Sequence, residues 1–188
     1  MEVNGMKKKI KLHSAASTVF APQLVGLVTT VDRANKPNVA TFAWVMSTSH
    51  HPELIAVSVA KARYTHECLM MTKEFVVNLP TKELLKAVWT VGTLSGRNVD
   101  KFRVSGLTPT LSEVVTPPRI AECPTHVECR TVETIETGDH TIFVGKVVAK
   151  SGDADAMSDG ILSERVEPLF HLGGTRFVVG GERVDVKK

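Results

Sequence analysis

The chain has 188 residues, 43% hydrophobic and 23% charged, a balance that suits one globular domain and excludes a disordered or collagenous chain. Its net charge is +3, with part of the excess in the tails at residues 7–9 and 187–188; no basic stripe with interleaved aromatics accompanies it, which speaks against nucleic acid and leaves an anionic small ligand as a weak hint. No apolar run reaches the roughly 18 residues of a membrane span, no apolar region follows the basic start, and three cysteines suit free thiols in the cytoplasm better than a disulfide framework.

The run QLVGLVTTVD at 23–32 is rich in β-branched residues and reads as a strand. Turn chemistry follows in Asp32, Asn35 and Pro37, and NVATFAWVMS at 38–47 reads as the second arm of a hairpin. After TSHHP, LIAVSVA at 54–60 alternates as a third strand. The period then changes: Thr65 is the expected cap of a short helix at 66–72, and 74–79 returns to strand. In KELLKAVWTV, capped by Thr81 and ended by Gly92, Leu84, Leu85, Val88 and Trp89 share one face. A glycine-punctuated loop, GTLSGRNVDKF, enters another helical turn. Beyond a proline-rich stretch lie two strands, 126–135 and 141–152, joined at ETGDH. The polar segment 152–160 reads as a flexible loop, and a last strand falls in TRFVVGG. Strands dominate and helices are few and short, so the expected fold is mainly β, an antiparallel barrel, in a single domain.

Four segments invite chemistry. In KARYTHE, Arg63 and Thr65 stand where a strand ends and a helix opens, and free backbone N–H groups there favour a phosphate. On spacing alone, an ordinary capped helix with a solvated arginine is the commoner outcome. Asn38 and Trp44 fall on one strand face by period two, with Thr41 opposite, and could border a flat heteroaromatic ring. A core tryptophan in a hairpin explains them equally well. In LSGRNVDKF, Ser95 and Gly96 can expose backbone donors, and Lys101 can offer a charge, unless it is a solvated lysine paired with Asp100. His140 follows a turn into a strand, where a lone histidine is more often structural.

Two patterns count against metal chemistry. Cys123, His126 and Cys129 have no matching second pair, and strand alternation puts His126 and Cys129 on opposite faces. His50 and His51 before Pro52 read as a turn, and neither LSGRN nor GGTRFVVGG joins a strand to a helix as a phosphate fingerprint requires.

Taken in order, PNVATFAW, HPELIAVSVAKARYTHE, EFVVNLP, VGTLSGRNVDKF, AECPTHVECR and GDHTIFVGKVV resemble the flavin-reductase-like, FMN-binding split-barrel family, nearest its flavoredoxin and ferric-reductase branch. The likeness runs from about residue 22 to about residue 177. It implies a Greek-key split barrel, a homodimer and one FMN per protomer, with NADH or NADPH as donor for a small-molecule substrate. A non-catalytic carrier serving a redox partner protein is the alternative. By the same resemblance, Asn38 and Trp44 lie beside the flavin ring, Thr65 and Arg63 at its phosphate, and Lys101 and His140 close to the flavin. Phe170, or alternatively His171, closes the site. Backbone at Val39, Ala40, Thr41, 45–48, 78–80, Ser95 and Gly96 lines it.

Overall fold

Strand β1 (Gly26–Val31) is buried along its whole length, because it is sandwiched between two apolar clusters. Leu27 faces one cluster with Val25, Val39, Val88, Val91, Phe102 and Ile120; Val28 faces the other with Val57, Leu69, Phe75 and Phe143. Strand alternation places neighbouring side chains on opposite faces, so one β-branched run serves both. The computed structural model describes residues 9–182, 184 and 186, with the backbone of 2–3 and 6–7. Of the basic tails, Lys8, Lys187 and Lys188 lie outside the described residues.

Six further strands complete the main sheet: β2 (Pro37–Phe42), β3 (Val45–His50), β4 (Glu53–Ala60), β5 (Glu74–Asn78), β6 (Thr125–Thr137) and β7 (His140–Gly152). Their order is β2-β1-β5-β6-β7-β4-β3, seven strands with every neighbouring pair antiparallel. The two edge strands, β2 and β3, are consecutive in the chain and joined only by Ala43 and Trp44. The sheet must therefore roll until its edges meet, and Val45 of β3 packs onto Gly26 of β1, where a Cβ would lie 3.3 Å from the valine methyl. Register shifts within β6–β7 and β3–β4 help that curl. The result is an antiparallel split barrel.

Three short helices line one side of the barrel. They are α1 (Tyr64–Thr72), α2 (Leu85–Thr93), entered through a 3₁₀ turn at Lys82–Leu84, and α3 (Lys101–Ser105). A three-stranded sheet stands beside the barrel, in which β8 (Leu169–Gly173) pairs with β9 (Arg176–Val179) and with the strand Gln23–Leu24. No helix among the described residues is long and apolar enough to cross a membrane.

The mainly-β antiparallel architecture matches the sequence reading, and four local expectations need correction. The run 38–47 is two strands, not one, because the chain crosses from one barrel edge to the other at Ala43–Trp44. The cap of α1 is Arg63, and Thr65 lies inside the helix. Gly92 does not end α2; it lets the helix approach β2, since a Cβ there would sit 3.2 Å from Thr41 Cβ. Finally, α2 buries Ala87, Val88 and Val91, leaving Leu85 and Trp89 on its outer side, Trp89 being 43% exposed. The segment 152–160 carries one arm of a small hairpin, Met157–Ser158 with Ile161–Leu162, and β8 has no counterpart in the sequence reading.

Candidate cofactor site

Where β4 ends, the chain turns through Ala62 and Arg63 into α1, and this turn faces the loop between α2 and α3. Between them lies an inner pocket of about 210 Å³, floored by Ala40, Thr41 and Phe42 of β2. Its walls are Arg63, Tyr64 and Thr65 on one side and Leu94, Ser95, Gly96 and Lys101 on the other. No side chain caps the first turn of α1, where the His66 N–H donates to Arg63 O, leaving the Tyr64 and Thr65 N–H groups beside the pocket. Gly96 is required there: a Cβ would collide with Asn38 Oδ1 and the Tyr64 ring.

Lys101 is only 5% exposed, and its Nζ donates to Val91 O at 2.7 Å. Burial, followed by the nearby Arg63 charge, brings its pKa down to about 8. Neither Lys101 nor Arg63 forms an ion pair among the described residues. The pocket therefore holds two cationic groups without a carboxylate to offset them. Asn38 lies beneath, donating through Nδ2 to Thr30 Oγ1 and Thr65 Oγ1, each at 3.1 Å, while its buried Oδ1 lacks a donor. An anion would offset the charge, whereas Asn38 Oδ1 is covered by Gly96 and has no surface open to the pocket.

The inner pocket opens through Thr41, Phe42 and Arg63 into a wider groove of about 550 Å³. Trp44, 43% exposed, stands on one flank with its ring centroid 4.7 Å from that of His140. His140 Nδ1 donates to Asp139 Oδ1 at 2.7 Å, a bond that holds the aspartate pKa below its usual value. Trp44 Nε1 donates to Gln23 Oε1 at 3.2 Å. The opposite flank comes from Thr18 and from β8 and its turn, His171 to Gly174, with His171 Nε2 bonded to Gly174 O at 3.0 Å. One continuous cleft thus has a narrow cationic end and a broad end with aromatic sides.

Among the residues singled out in the sequence, Ala40, Thr41, Arg63, Thr65, Ser95, Gly96 and Lys101 meet at the inner pocket, and Trp44 and His140 at the outer groove. Asn38 and Trp44 do not share a flank, because the break at Ala43–Trp44 resets the alternation. Asn38 supports the inner pocket while Trp44 borders the groove. Lys101 and His140 likewise sit at opposite ends. Val39 contributes no side chain, since its parity sends it into the core. Phe170 points to a separate surface cleft with Pro168 and Gly180, and its neighbour His171 reaches the groove. Asn78 is a sheet residue, donating to Leu27 O and accepting from Ile120 N. His126 bonds Ile120 O, and Cys123 and Cys129 lie in different core clusters. Sequence reasoning passed over Tyr64, Gln23, Thr18 and Ser58. Tyr64 sits inside the flagged KARYTHE; the others reach the cleft only through pairings distant in sequence.

An antiparallel barrel left open between two consecutive edge strands defines the split-barrel class. The flavin reductase like domain model matches residues 19–177, and the chain belongs to that family. It is 45% identical over 130 residues to an uncharacterized protein of Archaeoglobus fulgidus, covering 69% of this chain and 73% of that one. The flavoredoxin of Desulfovibrio vulgaris (Miyazaki F) superposes with a TM-score of 0.84 at 30% identity, covering 96% of this chain and 97% of that one. The flavoredoxin from Methanosarcina acetivorans gives 0.84 at 27% identity, with 96% and 95% covered.

Proposed function

We propose that the protein is an FMN-binding oxidoreductase, working as an NAD(P)H-dependent flavin or ferric reductase. The observation that carries this reading is the pair of carboxylate-free cations at the closed end of a cleft whose open end is flanked by Trp44 and His140. FMN has the same polarity, a phosphate at one end and a flat ring at the other, joined by a chain of hydroxyls. Arg63, Lys101 and the first turn of α1 would hold the phosphate, each through charge-assisted hydrogen bonds. Asn38 fixes Thr65 toward that pocket. Trp44, His140 and His171 would flank the ring and shed water from it. FMN, once held by these residues, would supply two-electron redox chemistry, with NADH or NADPH as the donor.

His140, held by Asp139, keeps Nε2 free to bond a ring heteroatom or the incoming donor. Electrostatic support near the ring then comes from His140 rather than from Lys101, which belongs to the phosphate end. The homodimer that the family resemblance implies is part of the same proposal, and light scattering at several concentrations tests it.

A second reading is a carrier that is loaded by a partner reductase, and likeness to two flavoredoxins favours it. Anaerobic addition of NADH, then NADPH, to the FMN-loaded protein separates the two. Bleaching of the flavin absorbance by the nucleotide alone supports the reductase; bleaching only after a reductase is added supports the carrier. A protein that takes up no FMN contradicts both.

A further inference from the structure

A second chamber lies on the far side of Trp44. It is an open groove of about 580 Å³ between residues 16–24 and the barrel, walled mainly by Phe20, Leu24, Val45, Met46, Ala56 and Ile142. Ser17, Gln23, Ala43, Trp44 and Ser58 line both this chamber and the outer groove, so the two are continuous. None of the side chains lining the chamber is charged. The cleft next door, in contrast, presents Arg63, His140 and Lys101. At the mouth, Phe20 is 84% and Met46 65% exposed, leaving apolar surface in water beside the redox site.

We infer that this groove binds an electron acceptor additional to free flavin or a ferric chelate, an uncharged, flat, one- or two-ring compound of the quinone class. The inference rests on the FMN reading of the cleft. A chamber without charge penalises an anionic chelate or nucleotide, which would lose its hydration and gain no counter-charge. A neutral ring loses little and gains contact with Trp44 and Phe20. The hydroxyls of Ser17 and Ser58, on the border shared with the groove, offer donors to a quinone oxygen. The size lies within the range of small-ligand sites. Two electrons and two protons convert the quinone to hydroquinone. NAD(P)H supplies both electrons and one proton as hydride, and solvent supplies the other proton.

The test is equilibrium dialysis of the FMN-loaded full chain against 2,3-dimethyl-1,4-naphthoquinone, with ferric EDTA as the charged comparison. Wild type should bind the quinone, and excess ferric EDTA should not displace it. Met46→Asp and Phe20→Asp, which set a carboxylate at the mouth, should weaken quinone binding at least about tenfold while FMN content stays the same. Met46→Leu should bind as wild type does. Equal quinone affinity across all variants overturns the inference. So does a wild type that is full of FMN yet takes no quinone, or a Met46→Asp chain that merely splits a dimer while quinone affinity is unchanged, since a second copy then covers the chamber. A wild type that takes up no FMN defeats the reading of the cleft itself, a result separable from the others.

Discussion

Lys101 is a buried amine that the free protein holds near the point of discharge. With its pKa at about 8, it is largely protonated at pH 7 and largely neutral by pH 9. An anion in the inner pocket favours the charged form, so binding takes up a proton once the pH passes 8. FMN affinity should therefore fall as pH rises from about 7.5 to 9.5, and Lys101→Met should flatten that profile; fluorescence titrations across the range check it. Folding responds in the opposite sense. The unfolded amine titrates near 10.4, so between about 8 and 10.4 the unfolded state binds the extra proton and the apo protein gains stability from this group as pH rises. The sequence offered Lys101 as a cation close to the flavin; the structure puts it at the inner pocket and His140 at the outer groove. The burial of Lys101 depends on α3 docking so that Nζ meets the carbonyl of Val91, a tertiary contact that local spacing does not encode. Gly96 was legible as a turn former. Its second task, leaving room for Asn38 and Tyr64, was not.

The elements around the inner pocket are held together from outside by Arg97. This side chain, on the α2–α3 loop, donates to Ala62 O at 3.2 Å and to Glu67 Oε2 at 2.8 Å, and lies 5.4 Å from the Tyr64 ring centroid. It thereby clasps one wall of the pocket to the other. The contacts are half-exposed, so their combined worth is modest, on the order of 1–2 kcal/mol. Arg97→Ala should speed FMN release roughly tenfold with little change in the association rate, and Glu67→Gln should give part of that effect. Stopped-flow release measurements decide it; an unchanged release rate would mean that the pocket stays closed without the clasp. At this scale the sequence was legible wherever periodicity governs, as in β4, β6 and β7. It misled where one run crosses a barrel edge: Ala43–Trp44 carries no glycine or proline, so nothing local marked the break between β2 and β3. Leu85 and Trp89 misled for a related reason. Helical spacing joined them to Val88, and only the docked helix shows that its buried side is Ala87, Val88 and Val91.

Across the whole molecule, the cleft exists because the barrel fails to close with hydrogen bonds between β2 and β3. The split leaves Trp44 at the seam, with the cationic pocket at one end of the cleft and the uncharged chamber behind the tryptophan. Ordered motifs spread over most of the chain made the barrel and its family readable, since each strand contributes its own pattern. The chamber was not readable, because its walls come from residues 16–24, β3, β4 and β7, which meet only after folding. The account turns on an anion at the inner pocket and a flat ring outside it. Its most direct test compares FMN with riboflavin, which lacks only the phosphate, in wild type and in Arg63→Ala, by calorimetry. Wild type should prefer FMN by roughly 1.5–3 kcal/mol or more, and Arg63→Ala should lose much of that preference while holding riboflavin almost as before. Equal affinity for the two ligands in wild type, or a preference untouched by the substitution, would contradict it.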